Sequence, residues 1–315
     1  FVDDDRHLQG LTISGFRVYS PQDIPRLVDE TGLEVVLLAM PSLNHSRRRE
    51  IFSSLEGMNL EVKTIPGLSD IISGKANISE LRNVTAEDLL GRDAVTPNDR
   101  LLKRNITDKV VMVTGGGGSI GSELCRQILS QAPKTLVLFE ISEFALYSIE
   151  QELSELAKHI EPSVRIVPIL GSVQNAKRLR AAITAFKVET IYHAAAYKHV
   201  PLVEENVVEG IRNNVFGTLT VARLARENHV KDFILISTDK AVRPTNVMGA
   251  TKRIAELICQ AFAQEQDTTT FSMVRFGNVL GSSGSVIPRF RSQIEAGGPV
   301  TVTHRDINRY FMTIP

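Results

Sequence analysis

The sequence has few cysteines and no excess of charge. Only two cysteines, Cys125 and Cys259, occur in 315 residues, far apart and in stretches with a helical pattern. They show no metal-ligand spacing, so we predict no metal site, and their scarcity favours a reducing compartment. Basic and acidic residues number 36 each, which gives a formal net charge of zero. A surface dedicated to nucleic acid is therefore not expected.

The sequence also lacks long apolar runs. The longest, such as residues 35–40, are far too short to span a bilayer. No signal peptide precedes the first strand-like segment. The chain as written is thus predicted to be soluble. Phe1 opens it without an initiator methionine, and Pro315 directly follows an amphipathic stretch, so we interpret it as a fragment of a longer protein.

The length and the hydrophobic pattern predict two domains. Residues 1–85 alternate buried-strand and helix patterns, at 34–40, 44–58 and 60–65, and are interpreted as part of a smaller Rossmann-like α/β domain. Residues 86–108 are predicted to be a linker. Residues 109–315 alternate strands and helices, which predicts a Rossmann-type, doubly wound parallel sheet. The predicted strands are 110–113, 135–139, 165–170, 190–194, 233–237 and 271–276, and the predicted helices are 119–129, 144–158, 210–227 and 248–264.

A glycine-rich turn joins the first strand of the second domain to its first helix. Glycines there let the backbone turn tightly and approach a pyrophosphate at the helix N-terminus. Glu140 ends the second strand, where a carboxylate accepts hydrogen bonds from the adenosine ribose and repels a 2′-phosphate, so NAD is predicted rather than NADP. The alternative is a structural turn with a surface glutamate. The predicted cofactor-binding residues are Gly115, Gly118, Ser119, Ile120, Gly121, Glu140, Ala194, Ala195 and Lys252.

Four further motifs carry a family resemblance: HAAAYKHVP at 193–201, NNVFGT at 213–218, STDKAVRPTN at 237–246 and RFGNVLGS at 275–282. With the glycine turn, they make residues 109–315 resemble the extended short-chain dehydrogenases. The resemblance is closest to the polysaccharide-biosynthesis branch, the large membrane-anchored UDP-N-acetylglucosamine 4,6-dehydratases.

This resemblance implies several properties of the whole protein. The expected substrate is UDP-N-acetylglucosamine, and the product serves surface polysaccharide or O-antigen synthesis. Membrane contact is expected only through segments absent from this chain, at the cytoplasmic face of the bacterial inner membrane. A homodimer or higher homo-oligomer is expected, with subunits pairing through the helices at 210–227 and 248–264. A small substrate-binding lobe is expected to continue beyond Pro315.

The resemblance also implies a reaction and its residues. A hydride leaves carbon 4 of the sugar, water leaves across carbons 5 and 6, and the hydride returns to carbon 6. In this branch Asp239 protonates the departing hydroxyl and Lys240 is the base at carbon 5. These roles require a protonated Asp239 and a neutral Lys240, and hence burial or a neighbouring like charge around each. A solvated Asp–Lys pair in a loop is the alternative.

One residue departs from the family pattern. The usual tyrosine base for the carbon 4 hydroxyl stands four residues before a lysine, and here Met248 precedes Lys252 at that spacing. Because methionine cannot ionise, the proton must pass to Thr238, to Asp239 or to a water, while Lys252 is expected to hold the nicotinamide ribose. The departure is shared by the membrane-anchored subgroup.

Two other hypotheses stay open. Loss of the tyrosine is also compatible with an inactive protein that binds NAD and a nucleotide sugar. A UDP-sugar 4-epimerase is the other alternative, against which the Asp239–Lys240 pair argues, since epimerases need no elimination pair. The residues expected to bind the substrate are Lys198, Asn278, Arg289 and Arg309.

Overall fold

The computed structural model divides into two compact units, residues 1–95 and 96–315. It describes residues 1–40, 45–55, 57–58, 60–65, 82–83, 97–161, 163–265, 268–280, 286–302 and 311–312. Within the segment predicted as a linker, Asp99–Arg104 form a short helix, α3, which Asn98 caps by accepting from the amides of Arg100 and Leu101. Residues 86–96 lie outside the described part.

The first unit contains the predicted strand–helix–strand pattern. Strand β3 (Val35–Leu38) runs parallel to β4 (Glu61–Thr64), and α2 (His45–Leu55) connects them. Before them come a hairpin of β1 (Thr12–Ile13) and β2 (Phe16–Arg17) and the helix α1 (Ile24–Thr31); β5 (Arg82–Asn83) pairs antiparallel with β4.

The prediction that β3 is fully buried is wrong. Leu38 is buried, but Val35 and Leu37 are exposed. In the described part of this unit, β4 alone pairs with β3, so the strand lies at a sheet edge and is incompletely covered.

The second unit is the predicted doubly wound sheet. Its six strands are β6 (Val110–Thr114), β7 (Thr135–Glu140), β8 (Arg165–Leu170), β9 (Thr190–His193), β10 (Asp232–Thr238) and β11 (Thr270–Phe276). They are all parallel and lie in the order β11–β10–β9–β6–β7–β8. This is the dinucleotide-binding order, in which successive strands are added first on one side of β6 and then, from β9 onward, on its other side.

Two apolar clusters cover the two faces of this sheet. Val111 and Val113 of β6 point into one cluster and Met112 into the other, because successive side chains of a strand alternate between faces. The central strands therefore read as continuous apolar runs. The helices that pack on the faces are α4 (Ser119–Ser130), α5 (Glu143–Ala157), α6 (Ala176–Phe186), α9 (Thr218–Glu227) and α10 (Val247–Gln264).

The helix predicted at 210–227 is interrupted. Helix α7 (Val200–Glu205) and helix α8 (Val207–Ile211) are followed by a π-helical turn, Arg212–Gly217, before α9 begins. The turn buries the side chains of Asn213 and Asn214, which the hydrophobic pattern cannot show. Helix α11 (Val286–Glu295) and the paired strands β12 (Asn278–Val279) and β13 (Phe311–Met312) complete the described unit. Among the described helices, none is both long and apolar enough to cross a membrane.

Candidate functional site

Two glycines of the turn are required by the packing of the chain itself. Gly115 has φ +71°, and a Cβ there would lie 2.6 Å from the amide nitrogen of Ala195. A Cβ on Gly121 would lie 2.7 Å from the carbonyl carbon of Gly115. The ends of β6 and β9 can therefore meet, and α4 can start directly beneath the turn, only because both side chains are absent.

Gly118 differs from these two. It caps the N-terminus of α4 in an extended conformation, and a Cβ there would meet only the Gly115 carbonyl oxygen, at 3.5 Å. The protein has room for a side chain at this position, so internal packing does not explain the glycine. Its bare backbone adjoins Ser119 and Ile120 in the first turn of α4, where the backbone N–H groups point out of the helix end. This arrangement fits the close approach of an anionic group such as a pyrophosphate.

A pocket of about 300 Å³ opens beside the turn, at the carboxyl ends of β6 to β9. It lies where the strand order reverses, which is where open α/β sheets bind ligands. Small residues make up most of its wall, so it has space for a flat ring and a sugar. Its lining includes the predicted residues Gly115, Gly118, Glu140, Ala194 and Ala195, together with Gly117, Ile141, Ser142, Gly171, Ser172, Ala196, Tyr197 and Asn213.

Glu140 lines this pocket but also has a structural role that the sequence did not indicate. Its buried carboxylate accepts hydrogen bonds from the amides of Gly117 at 3.0 Å, Ile141 at 2.9 Å and Ser142 at 3.0 Å. The residue thereby ties the glycine turn to the start of α5. A carboxylate offers about four acceptor positions, so one remains for a ribose hydroxyl.

The Asp239–Lys240 pair follows β10 in a single 3₁₀ turn, Asp239–Ala241. The Lys240 Nζ lies 3.1 Å from Asp239 Oδ1, and Thr238 Oγ1 donates to the same carboxylate oxygen at 3.0 Å. The side chains are 38% and 25% exposed for Asp239 and Lys240. The expected burial or neighbouring like charge around each group is therefore not seen in the described residues. Each group has an opposite charge beside it instead.

Helix α10 packs against the Asp239–Ala241 turn. Asn246 caps the helix by accepting from the Gly249 amide at 2.8 Å, and a Cβ on Gly249 would collide with the carbonyl oxygen of Lys240. Met248 is buried in the same helical turn. Lys252 is buried one turn later, where its Nζ donates to the Ile236 carbonyl oxygen at 2.7 Å. Burial lowers the pKa of Lys252 to about 8.

The four residues expected to bind the substrate lie in different surroundings. Asn278 begins β12, and its Oδ1 accepts from Lys240 Nζ at 3.0 Å, so it belongs to the Asp239–Lys240 site. Lys198 is exposed in the loop after β9, and Arg289 is exposed on α11. Arg309 lies outside the described residues.

Three buried polar residues near the site have roles that the sequence did not reveal. Asn214 bonds both backbone groups of Tyr197 and the hydroxyl of Thr251, so it braces the loop after β9 against α10. His193 lies between the hydroxyls of Thr114 and Thr218.

Glu256 is the third of these buried polar residues. It accepts from Ser237 at the end of β10, and from Arg253 and Arg275. Ser237 and Arg275 belong to the family motifs at 237–246 and 275–282, so the sequence marked two of its partners but not the contact itself.

Comparison with known proteins gives this geometry a context. The Staphylococcus aureus capsular polysaccharide biosynthesis protein CapD is 48% identical and the probable polysaccharide biosynthesis protein EpsC of Bacillus subtilis 42%, each over all of this chain and 52% of the relative. The chain thus spans about half the length of these relatives. A UDP-glucose 4-epimerase of Rickettsia akari is 35% identical over 66% of this chain and 60% of its own length.

Solved structures agree with the fold. Pen from Bacillus thuringiensis superposes with a TM-score of 0.60 at 35% identity, over 67% of this chain and 65% of that chain. DesIV, a dTDP-glucose 4,6-dehydratase from Streptomyces venezuelae, has a TM-score of 0.56 at 22% identity, over 65% and 68%. The second unit therefore has the extended short-chain dehydrogenase fold of sugar-nucleotide dehydratases and epimerases. The family model of polysaccharide biosynthesis proteins matches residues 111–315, and the chain belongs to that family.

Proposed function

We propose that the protein dehydrates UDP-N-acetylglucosamine to its 4-keto-6-deoxy product, with NAD as a hydride carrier, for surface polysaccharide synthesis. The observation that carries this proposal is the Asp239–Lys240 pair at the carboxyl end of β10, in the same sheet as the glycine-turn pocket. An acid and a base side by side are what an elimination of water needs. The CapD relative is named for capsular polysaccharide synthesis, and DesIV has the same fold and is a 4,6-dehydratase.

The residues of the pocket fit NAD. Gly118 and the start of α4 would bind the pyrophosphate, and Glu140 would bind the adenosine ribose. Ala194 and Ala195 would form the pocket wall beside the cofactor. Lys252, with a single hydrogen bond to Ile236 among the described residues, would hold the nicotinamide ribose. When bound, NAD supplies a reversible hydride acceptor for carbon 4 and carbon 6.

The hydrogen bonds of the pair suggest how protons move without a tyrosine. Thr238 Oγ1 bonds to Asp239 Oδ1, so the proton of the carbon 4 hydroxyl can reach Asp239 through Thr238. Asp239 then holds the proton that the departing carbon 6 hydroxyl needs. Lys240, whose side chain is 25% exposed, can then release its ammonium proton to solvent water. The neutral amine takes the carbon 5 proton, later returns a proton to that carbon, and regains its own proton from water. The ion pair is thus the resting state of the acid and the base.

The test is a product analysis in deuterated water. We expect the NAD-loaded protein to convert UDP-N-acetylglucosamine to a product that has lost water and gained one solvent deuterium, measured by mass spectrometry. Asp239→Asn should abolish that product. Glu209→Gln, which alters an exposed carboxylate paired with Arg212, is the matched control and should retain it. The experiment uses the full-length protein, and no product from its NAD-loaded wild type would contradict the proposal.

The epimerase is kept as the second candidate because of the Rickettsia relative. It would give an isomer of unchanged mass in the same experiment. For the whole protein we propose a location at the cytoplasmic face of the bacterial inner membrane and a homodimer. Ile254 and Leu257, apolar residues exposed on α10, support the dimer, which sedimentation equilibrium would test.

A further inference from the structure

We infer that Asn278 is a positioning residue for Lys240, holding its amine in place while protons move. This inference rests on the proposed function. Asn278 comes from β12 and Lys240 from the turn after β10, yet Lys240 Nζ donates to Asn278 Oδ1 at 3.0 Å. The sequence predicts substrate binding for Asn278 and does not indicate this contact with Lys240.

The lysine amine is held from two sides, by groups that behave differently. Asp239 Oδ1 lies 3.1 Å from the amine and Asn278 Oδ1 lies 3.0 Å from it. In the proposed cycle Asp239 gains a proton, and its charge no longer attracts the amine. The amide of Asn278 does not titrate, so its carbonyl remains an acceptor in every protonation state. Asn278 is thus the partner that keeps the amine aimed at carbon 5 when the ion pair is discharged.

The anchor is itself fixed. Strand β12 pairs in parallel with β13, with Asn278 opposite Phe311, and the Leu280 amide donates to the Met312 carbonyl oxygen at 2.9 Å. Val279 and Leu280, directly after Asn278, are buried. A long, flexible lysine side chain is therefore tied to a rigid backbone that belongs to a different strand, and a fixed donor–acceptor geometry raises the rate of proton transfer.

The charged residues of helix α10, which packs against the turn, are already engaged. They are Lys252, Arg253 and Glu256. Lys252 bonds to the Ile236 carbonyl oxygen, and Arg253 pairs with Glu256. Among the described residues, Asp239 is thus the charged partner of Lys240 and Asn278 the neutral one.

Kinetics distinguish positioning from substrate contact. Asn278→Ala should lower kcat about tenfold or more and leave KM for UDP-N-acetylglucosamine within about twofold, because only the proton transfer is impaired. In a Lys240→Ala background the same substitution should cause no further loss. Asn228→Ala, which removes a hydrogen-bonded amide at the end of α9, is the control and should leave both parameters unchanged. A raised KM with unchanged kcat, or additive losses in the double variant, would overturn the inference.

A second measurement does not depend on turnover. Asn278→Asp has nearly the same shape but places a second carboxylate beside the amine. Labelling of Lys240 by acetic anhydride, followed by mass spectrometry across pH, should then have its midpoint about one unit higher, whereas exposed Lys198 should label as before. An unchanged midpoint at Lys240 would refute the contact. If the shift occurs but the wild type forms no product, the proposed function fails and the placement of Asn278 stands.

Discussion

Substitution by alanine should affect two glycines of the same turn differently, one in fold stability and the other in cofactor binding. Gly115→Ala adds a methyl group to a residue at φ +71°, and that group would lie 2.6 Å from the amide nitrogen of Ala195. Gly118→Ala adds it to an extended residue, where the nearest atom is a carbonyl oxygen at 3.5 Å. We expect the first to destabilise the fold and the second to weaken cofactor binding while the fold is retained.

The magnitudes follow from the geometry. A left-handed conformation costs a residue with a Cβ about 1–2 kcal/mol, and forcing a methyl group into a packed interior costs a further 1–3 kcal/mol or so. Gly115→Ala should therefore lower the free energy of unfolding by about 3 kcal/mol, which shifts the melting temperature of a unit of this size by roughly 6–12 °C. Gly118→Ala meets neither cost.

Thermal unfolding by circular dichroism and NAD binding by calorimetry measure the two effects separately. Gly118→Ala should melt within about 2 °C of the wild type, yet bind NAD at least about tenfold more weakly, because its methyl group would occupy the approach of the pyrophosphate. If Gly115→Ala melts like the wild type, the close packing of β6 against β9 is refuted. If Gly118→Ala binds NAD normally, the pyrophosphate does not approach this residue.

Three further substitutions test the supports of the site. Gly249→Ala should displace the Lys240 carbonyl and lower kcat about 100-fold with NAD affinity retained, whereas the control Gly210→Ala, whose methyl group meets one valine side chain, should keep its activity. Burial lowers the pKa of His193 to about 3, so the wild-type free energy of unfolding should fall as pH drops below about 6.5. Denaturant titrations of His193→Gln should show an unfolding free energy that depends less steeply on pH. Burial alone would raise the pKa of Glu256, but hydrogen bonds from its arginine and serine partners outweigh burial and hold that pKa at about 2. Glu256→Gln should therefore lower the unfolding free energy at pH 7 by about 2 kcal/mol. An unchanged denaturation midpoint would contradict this expectation.

The sheet and the glycine turn could be predicted because their signals are local. Each buried parallel strand is an apolar run, and residues 165–170 were bounded correctly, while the other strands of the sheet were longer or shorter by a residue or two. The turn combines a strand, glycines and a helix within one short segment, so its place at the sheet end follows from connectivity alone.

Side-chain partnerships could not be predicted in the same way. The position of Glu140 at the end of a strand predicts a ribose-binding carboxylate. Its hydrogen bonds from three backbone amides depend instead on the path of the chain into α5. The contact of Asn278 with Lys240 joins segments that only the sheet brings together. The π-helical turn at Arg212–Gly217 buries Asn214, whose partners Tyr197 and Thr251 lie in other segments of the chain.

The supports around Asp239 and Lys240 share one property, which is that the groups nearest the pair are uncharged. Asn278 offers an amide oxygen, Thr238 a hydroxyl, and Gly249 only the absence of a side chain. The charged network of Glu256 reaches the chain at Ser237, two residues before Asp239, and its charge is balanced by Arg253 and Arg275. The position of the pair is thus fixed while its charge remains free to change. A proton can then move between substrate, Asp239 and Lys240 without the surrounding dipoles having to reorganise, and loss of any one support should therefore appear in kcat rather than in KM.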